Sequence, residues 1–507
     1  MKLTKFVAAA LGASAITLLT SSAKAADTVV FAAAGSSALW KQVEQGAVQN
    51  TGYSNHYSLA SGAHIVDPVG LPESGNIWIA WSGTAGNYTI AFDVQVDSSV
   101  GDRSFFKRDT VTTTGAAPDN SGYPGSGDTT PPAEVFTAIQ NAAINVGLTD
   151  ITPADAEVAT ARSIALGYSV TNPIKSDFTT AQADPVPFSI SSRPYQEFRF
   201  GAAPIMVFIN ITDTTPLGFG AITTTTGGNP NTEYRSNIDR FTLAGFLSGQ
   251  LGLTTSLNSD PTLSSPVGGP DNGKSVTVID REPLSGTYNT IEYCVPESAE
   301  ISAFTGGLGQ ELNWPHTATN VSGNGGIRRR AIGTGESIKQ AANIPNSLGY
   351  AFWSFPNFAA SGSKPYGNLR YLTVDGVDPL FDNYSTGSFS PGGAPGEGNL
   401  QPTTAPNFRN IKNGGYAIWS ILRAVTDVNP ASGISNILTN TPSGDFVPYT
   451  NLEVFRSYHQ TPDSGTPDNG NYGSSSAGGD VGGAVFPINT DVNYTNDTGA
   501  ELTNLLQ

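Results

Sequence analysis

The segment Arg281-Glu-Pro-Leu-Ser285-Gly286-Thr287 combines residue types that bind oxyanions. An arginine guanidinium donates paired hydrogen bonds to an anion, and hydroxyl groups such as those of Ser285 and Thr287 add further donors. Gly286 allows main-chain N–H groups to approach a ligand closely because it has no side chain. A β-like run precedes the segment and a helix can begin just after it, where the helix N-terminus favours negative charge. The segment predicts an anion-binding loop, with an ordinary turn and helix cap as the alternative.

Three segments earlier in the chain offer similar parts. The first contains Ser37 and Ala38 between a predicted strand and a predicted helix, where their main-chain N–H groups would point outward from the helix N-terminus. The second contains Ser98 and is interpreted as a turn of small residues, 97–101, after a strand. The third places Asp150 just past a short β-like run. Each is also compatible with ordinary capping or turn chemistry.

The elements that must position these segments follow an alternating pattern. Short β-rich runs alternate with helical patterns, which predicts an α/β fold. Residues 28–31 predict a strand that leads into the Ser37 segment, and residues 76–96 predict a β-hairpin. The continuous apolar run at residues 205–210 is typical of a strand in a parallel sheet that is covered on both faces.

Several polar segments lie between these elements. Loops rich in Gly, Pro, Ser and Thr are interpreted as insertions on a regular scaffold, at residues 111–131, 213–234, 384–407 and 461–484. The cluster Arg328-Arg329-Arg330 favours the solvated start of a helix. Residues 451–455 and 502–506 predict late helices.

The first 25 residues have the pattern of a secretory signal peptide. Lysines precede an apolar run at residues 6–19, and Ala23-Lys24-Ala25 is a small-x-small cleavage site. No later run is long enough to predict membrane insertion of the mature chain. Loss of the three lysines in this segment takes the net charge from −17 to −20, which disfavours nucleic acid and anionic lipid as partners. We expect a periplasmic or extracellular protein with two or more domains.

Patterns for catalysis or cofactor binding are missing from the sequence. The histidines lack metal-ligand spacing, at positions His56, His64, His316 and His459. The sequence contains no Gly-x-Ser-x-Gly elbow and no phosphate-binding lysine loop. The single cysteine, Cys294, is predicted to be a buried apolar residue. We expect no catalytic residue, no metal and no cofactor, and therefore a protein that is not an enzyme.

The order of the four candidate segments resembles that of the substrate-binding proteins of phosphate-type ABC transporters. In that family a Gly-x-Thr/Ser cap, a Gly-Ser-Ser-Gly turn, a Ser-Asp turn and an Arg-x-x-x-Ser-Gly-Thr loop converge on one oxyanion, and residues 281–287 match the last of these. Further stretches resemble strands and a helix of the family, at residues 200–210, 237–249, 348–353, 371–379 and 416–419. The resemblance covers most of the chain in patches.

The resemblance implies a two-lobed α/β fold of the type II periplasmic-binding-protein-like class, with the long Gly/Ser/Thr-rich loops as insertions and a hinge that closes over ligand. Lobe I would comprise residues 26–202 and 354–507, including a C-terminal extension, and lobe II would comprise residues 203–353. The ligand would be inorganic phosphate. Lobe I would contribute Ser37, Ala38, Ser98 and Asp150, and lobe II would contribute Arg281, Ser285, Gly286 and Thr287.

Asp150 favours phosphate over sulfate among the possible ligands. A carboxylate repels fully ionised sulfate, whereas phosphate still carries an O–H group that a carboxylate can accept. The family commonly has a bracing acid two residues after the arginine, but here Pro283 holds that position and Glu282 is the neighbouring candidate. Ala38 stands where an aromatic residue is usual, so only its main chain would bind.

The resemblance thus implies a secreted solute-binding protein that delivers phosphate to the permease of an ABC transporter. The alternative is a surface or matrix protein that keeps the scaffold for adhesion or assembly, since long polar loops and an acidic surface fit that role as well. A phosphate-releasing hydrolase on the same fold would need a nucleophile or a metal near the cleft, and no residue in the sequence fits that part.

Overall fold

In the described part of the chain, thirteen strands form one mixed sheet, and six further strands form three separate two-stranded sheets. The computed structural model describes residues 26–58, 77–110, 129–165, 185–254, 257, 273–295, 319–320, 326–353, 368–382, 406–456 and 485–487, with short gaps inside the longer ranges. The predicted signal peptide and the predicted helix at residues 502–506 lie outside these ranges.

The strands are as follows in chain order: β1 (Thr28–Gly35), β2 (Asn55–Ser58), β3 (Ile77–Thr84), β4 (Asn87–Gln95), β5 (Val146–Thr149), β6 (Tyr195–Asn210), β7 (Ile222–Thr226), β8 (Asn229–Glu233), β9 (Asn237–Ile238), β10 (Thr277–Arg281), β11 (Thr319–Asn320), β12 (Ile327–Ala331), β13 (Ser347–Phe352), β14 (Leu369–Tyr371), β15 (Thr373–Val374), β16 (Trp419–Asp427), β17 (Val447–Pro448), β18 (Val454–Arg456) and β19 (Val485–Pro487). The helices are α1 (Trp40–Gln45), which continues as a π-helical turn over Gly46–Asn50, α2 (Ser98–Lys107), α3 (Ala133–Gln140), α4 (Pro153–Ala165), α5 (Arg240–Leu247), α6 (Gly286–Glu292), α7 (Gly333–Asn343), α8 (Arg409–Lys412) and α9 (Ser432–Thr439). The predicted α/β class is confirmed.

The long strand β6 connects the two halves of the large sheet. Its first part, residues 195–204, pairs with β16, and its second part, residues 205–209, pairs with β13. On the β16 side the sheet continues through β5 and β1 to β4, and on the β13 side it continues through β10 to β12. We refer to these sides as the first half and the second half of the sheet.

Each half contains a set of parallel strands. In the first half β1 is parallel to both β4 and β5, and in the second half β10 is parallel to both β12 and β13. Alternate residues of β1 enter two different apolar clusters, with Phe31 in one and Ala32 in the other. Strands covered in this way on both faces form the layered core that an α/β protein requires.

The strand predicted to be parallel at residues 205–210 is antiparallel to all its neighbours in the sheet. Within β6 these residues pair antiparallel with β13 and β14, and residues 195–204 pair antiparallel with β16. The apolar run correctly indicated burial, since residues 205–210 are all buried. Hydrophobicity reports burial on both faces but does not report strand direction.

Arg328 and Arg330 do not form the solvated helix start that the arginine cluster predicted. Both lie in β12 and are 1% exposed. Arg328 lies 3.8 Å from the carboxylate of Asp280 in the neighbouring strand. Burial raises the pKa of Asp280 to about 6, against the opposing charges of the two arginines. Asp280, the partner that allows the arginines to be buried, lies in a distant part of the sequence.

Two loop and helix predictions were also wrong. The predicted loop at residues 213–234 contains the hairpin of β7 and β8. Residues 451–455 do not form a helix, because a 3-10 turn ends at Asn451 and β18 begins at Val454. The predicted hairpin at residues 76–96 is confirmed by the antiparallel pairing of β3 and β4.

The predicted lobe boundaries stay a prediction. The strand β14 pairs with residues 208–210 of β6, in the second half of the sheet, although the sequence analysis assigned residues after 354 to lobe I. The strand β16 lies in the first half, as that assignment expects.

Candidate oxyanion-binding site

The candidate segments lie at the carboxyl ends of parallel strands in both halves of the sheet. Ser37 follows β1, Ser98 follows β4 and Asp150 directly follows β5 in the first half. Arg281 is the last residue of β10 in the second half, and Gly286 begins α6 shortly after it. Loops at the carboxyl ends of strands form the usual binding crevice of α/β sheets, because helix N-termini gather there.

Ser98, Asp150 and Gly286 meet directly across the two halves. The Ser98 hydroxyl donates a hydrogen bond to the Asp150 carboxylate. A Cβ atom at position 286 would overlap Asp150 Oδ1 and would lie 2.6 Å from Ser98 Oγ. Glycine allows this close approach, because a Cβ atom would displace the side chains of Asp150 and Ser98 from their present positions. Ser98 also differs from its prediction, since it begins the ten-residue helix α2 rather than lying in an isolated turn.

The Arg281 side chain lies in the same contact region and is 2% exposed. Its Nη1 atom lies 3.4 Å from Thr287 Oγ1 and 3.4 Å from Thr334 Oγ1. Its Nη2 atom lies 3.7 Å from the carboxylate of Asp97, which belongs to the first half. Ser37 completes the group, with its hydroxyl 3.3 Å from the Thr334 hydroxyl.

The structure therefore brings together six of the eight predicted residues, which are Ser37, Ser98, Asp150, Arg281, Gly286 and Thr287. Ala38 and Ser285 are nearby in the chain but bond locally. The Ala38 N–H group donates to Ser36 Oγ at 3.2 Å instead of pointing outward as expected. The Ser285 hydroxyl accepts from the Tyr288 N–H at 3.5 Å and so caps α6.

Glu282, the neighbouring candidate, braces Arg281, while Pro283 holds the position where an acid was expected. Its Oε1 atom accepts from Arg281 Nη2 at 2.9 Å and its Oε2 atom accepts from Arg281 Nε at 3.3 Å. Oε1 also accepts from the Gly333 N–H group at 3.2 Å, which joins the brace to the start of α7. A guanidinium held by two bonds to one carboxylate has a fixed orientation, and its Nη1 side remains directed at the hydroxyl groups.

The charges of this pair stabilise each other. Burial alone would raise the pKa of Glu282, but the charge of Arg281 and the hydrogen bonds to the carboxylate together outweigh it and lower the pKa below its usual range. Burial alone would lower the pKa of Arg281, but the charges of Glu282 and Asp97 raise it above its usual range. The pair stays ionised near neutral pH, so a positive group faces the hydroxyl cluster.

The pKa of Asp150 is shifted in the opposite direction to that of Glu282. Burial raises its pKa to about 7, and the charges of Arg281 and Arg423 oppose the increase only in part. Its main-chain carbonyl accepts from the hydroxyl of Ser420 in β16, which fixes the loop after β5. A carboxyl group with this pKa can accept a hydrogen bond when ionised and donate one when protonated, at pH values close to neutral.

The two halves also make an apolar contact beside the site. Leu284 follows β10, yet its side chain is part of the apolar cluster of the first half together with Val100 and Phe105. The Ser99 N–H group donates to the Leu284 carbonyl at 3.2 Å. The structure therefore shows the two halves in direct contact around the candidate site.

Thr334, Asp97 and Leu284 lie in the site although they were not predicted from the sequence. Gly333-Thr334-Gly335 follows β12 and carries the same combination of glycine and hydroxyl that singled out residues 285–287. This combination predicts a binding loop, but Thr334 was missed because the arginines before it were interpreted as a solvated helix start. A strand at residues 327–331 would have placed Thr334 at a strand-to-helix turn.

In the described part of the chain, no group of three or more His, Cys, Asp or Glu residues is arranged to hold a metal ion. Over those same ranges, the helices are all too short or too polar to cross a membrane. Cys294 is buried, as predicted.

Comparison with known proteins gave similarity in structure only. No protein-family model matches the chain, and no curated protein matches it in sequence. The phosphate binding protein from Stenotrophomonas maltophilia is 12% identical, covers 82% of each chain and has a TM-score of 0.35. A human phosphate binding apolipoprotein is 12% identical over 72% of this chain and 86% of that chain, with a TM-score of 0.33. PstS from Borrelia burgdorferi is 15% identical over 51% of this chain and 70% of that chain, with a TM-score of 0.25. At these identities the likeness concerns the fold alone.

Proposed function

We propose that this protein is a secreted, non-enzymatic solute-binding protein that binds inorganic phosphate between two lobes. The observation that carries the proposal is the meeting of Arg281 with hydroxyl groups and Asp150 from both halves of the sheet. Glu282 holds the Nε and Nη2 side of the guanidinium, and the Nη1 group together with the neighbouring hydroxyl groups forms a cluster rich in donors, which suits a tetrahedral ion with four acceptor oxygens.

Asp150 gives the site its selectivity. In its ionised form it accepts the O–H group that phosphate retains near neutral pH, whereas sulfate has no proton to donate. A dry site that leaves a carboxylate facing an unprotonated anion rejects that anion strongly, by factors of about 10⁴ or more in comparable cases. Arsenate carries the same O–H pattern as phosphate and is harder to reject.

Binding uses local donors, because the chain as a whole is strongly acidic, with a net charge of −17. The ligand set is Ser37, Ser98, Asp150, Arg281, Gly286 and Thr287, and Ala38 and Ser285 join it only by giving up their present partners. Lobe closure around the ion excludes water, and an ABC-transporter permease then receives the ion from the protein outside the cytoplasm.

Isothermal calorimetry with phosphate, sulfate and arsenate tests the proposal. The variant is the double substitution Arg281→Gln with Glu282→Gln, because removing the arginine alone would leave a buried unpaired carboxylate. We expect phosphate binding by the wild type that the double variant weakens by at least about 30-fold, the cost of losing a buried charged partner. The matched control is Arg409→Gln with Asp382→Asn, an ion pair whose side chains are 69% and 46% exposed.

Each contrary result has a defined meaning. A folded wild type that gives no heat at millimolar phosphate would overturn the proposal and favour the surface or matrix role. Turnover of a phosphomonoester would favour the hydrolase. Equal affinity for phosphate and sulfate would contradict the role of Asp150.

A further inference from the structure

Thr334 lies in the hydroxyl cluster, but it is not among the ligands that the phosphate proposal names. It is the second residue of the eleven-residue helix α7, and it is 2% exposed. Its helix begins directly after β12, whereas Arg281 and Thr287 are carried by β10 and the helix that follows it. The second half of the sheet therefore presents two adjacent strand-to-helix loops to the site.

The Thr334 hydroxyl contacts both halves of the sheet. It lies 3.4 Å from Arg281 Nη1 in the second half and 3.3 Å from Ser37 Oγ in the first half. Both distances are at the long end of the range for hydrogen bonds, so these bonds are weak ones. A group held between two lobes by weak bonds can exchange them for stronger bonds to a charged ligand.

The balance of donors and acceptors shows which ligand this is. The guanidinium has only donors, so Thr334 Oγ1 must accept from Arg281 Nη1. Either hydroxyl of the Thr334–Ser37 pair can donate to the other, and in both cases the pair keeps one proton that needs an acceptor. Thr287 also accepts from Arg281 Nη1 and is left with a proton to donate. These hydroxyl protons have no acceptor within the cluster, and an anion with several oxygens would supply the acceptors.

We propose that Thr334 is a further ligand-binding residue whose hydroxyl group donates to a phosphate oxygen. This inference rests on the proposed function and adds a second strand-to-helix loop from the second half of the sheet to the site, after the one that carries Arg281 and Thr287. The N-terminal turn of α7 supports the same contact, because it favours negative charge next to the hydroxyl.

Titration of inorganic phosphate into three variants tests the inference. Thr334→Val keeps the shape of the side chain and removes the hydroxyl, and we expect it to weaken phosphate binding by about 10- to 150-fold, as for loss of one hydrogen bond to a charged group. Thr334→Ser keeps the hydroxyl and should bind nearly as the wild type does. Thr290→Val is the matched control, since Thr290 in α6 is 1% exposed and its hydroxyl has no hydrogen-bond partner in the structure.

A second pair of variants separates ligand binding from support of the fold. Thr334→Ser and Thr334→Ala both lack the γ-methyl group, so their comparison isolates the hydroxyl even if valine disturbs the packing. We expect similar melting temperatures for this pair without ligand, and weaker phosphate binding for alanine alone. The inference is overturned if Thr334→Ala has a lower melting temperature than Thr334→Ser and its folded fraction binds phosphate as tightly as Thr334→Ser does.

The outcomes for the two proposals are distinct. If the wild type binds phosphate and Thr334→Val binds equally well or more tightly, the role of Thr334 is wrong and the proposed function stands. If the wild type does not bind phosphate, the proposed function fails, and the role of Thr334 fails with it.

Discussion

The protonation of Asp150 makes a prediction about stability that is independent of any ligand. The carboxyl group is buried, and burial raises its pKa to about 7. The substitution Asp150→Asn replaces it with a neutral amide of nearly the same shape, whose oxygen can still accept the hydrogen bond from Ser98. The variant therefore loses the titration and keeps the local contact.

The magnitude follows from the change in pKa between the unfolded and the folded protein. An unfolded Asp titrates near about 3.9, so the folded protein holds this proton more tightly by about three pKa units. The resulting stabilisation is fully present below about pH 4 and is lost as the pH rises through about 7. Between about pH 5 and about pH 8 the wild type should lose about 3 kcal/mol of unfolding free energy from this group alone.

Urea denaturation at the two pH values measures this loss in phosphate-free buffer, with tryptophan fluorescence as the probe. The unfolding free energy of Asp150→Asn, relative to that of the wild type, should rise by about 3 kcal/mol from about pH 5 to about pH 8. Asp382→Asn removes a carboxylate whose side chain is 46% exposed and serves as the control. If the unfolding free energies of the wild type and of Asp150→Asn change with pH in the same way, the reasoning is refuted. A direct check is the infrared difference between the wild type and the variant at about pH 6, which should contain the carbonyl band of one protonated carboxyl group, because buried carboxyl groups such as Asp280 contribute equally to both spectra.

Two further substitutions test the contact between the halves. Gly286→Ala places a Cβ atom 2.6 Å from Ser98 Oγ and into Asp150, so we expect displacement of these two side chains and loss of phosphate binding in calorimetry; unchanged phosphate affinity would contradict the role of this contact in the site. Leu284→Ala removes a side chain from the apolar cluster of the first half, so the unfolding free energy in urea should fall by about 2–5 kcal/mol, whereas Ile164→Ala, at a position 40% exposed, should have little effect. Equal losses for these two variants would show that Leu284 is not a packed contact.

The local chemistry of the site could be predicted from the sequence. Glycine and hydroxyl residues between a β-like run and a helical pattern indicate a strand-to-helix turn, since such residues favour turns and caps over helix interiors. This reasoning found Ser37, Arg281, Gly286 and Thr287, and the structure places all four at such turns. Ser98 was found for the same reason, although it begins a helix.

The predictions that failed depend on partners far away in the chain. Charged residues are usually exposed, so Arg328 and Arg330 were expected in solvent, but Asp280 is some fifty residues earlier and balances them inside the sheet. The direction of β6 was predicted wrongly for a related reason, because an apolar run is equally suited to parallel and antiparallel neighbours.

The amino-acid sequence by itself determined which residues could bind an anion and which short elements carry them, because turn propensity and hydrophobic periodicity are local properties. Only the tertiary structure decided that Glu282 braces Arg281, that Thr334 joins Ser37 across the two halves and that Ala38 and Ser285 bond locally. Those outcomes depend on the distances between side chains of different strands, which are set by the pairing of the sheet and by the packing of both halves around β6.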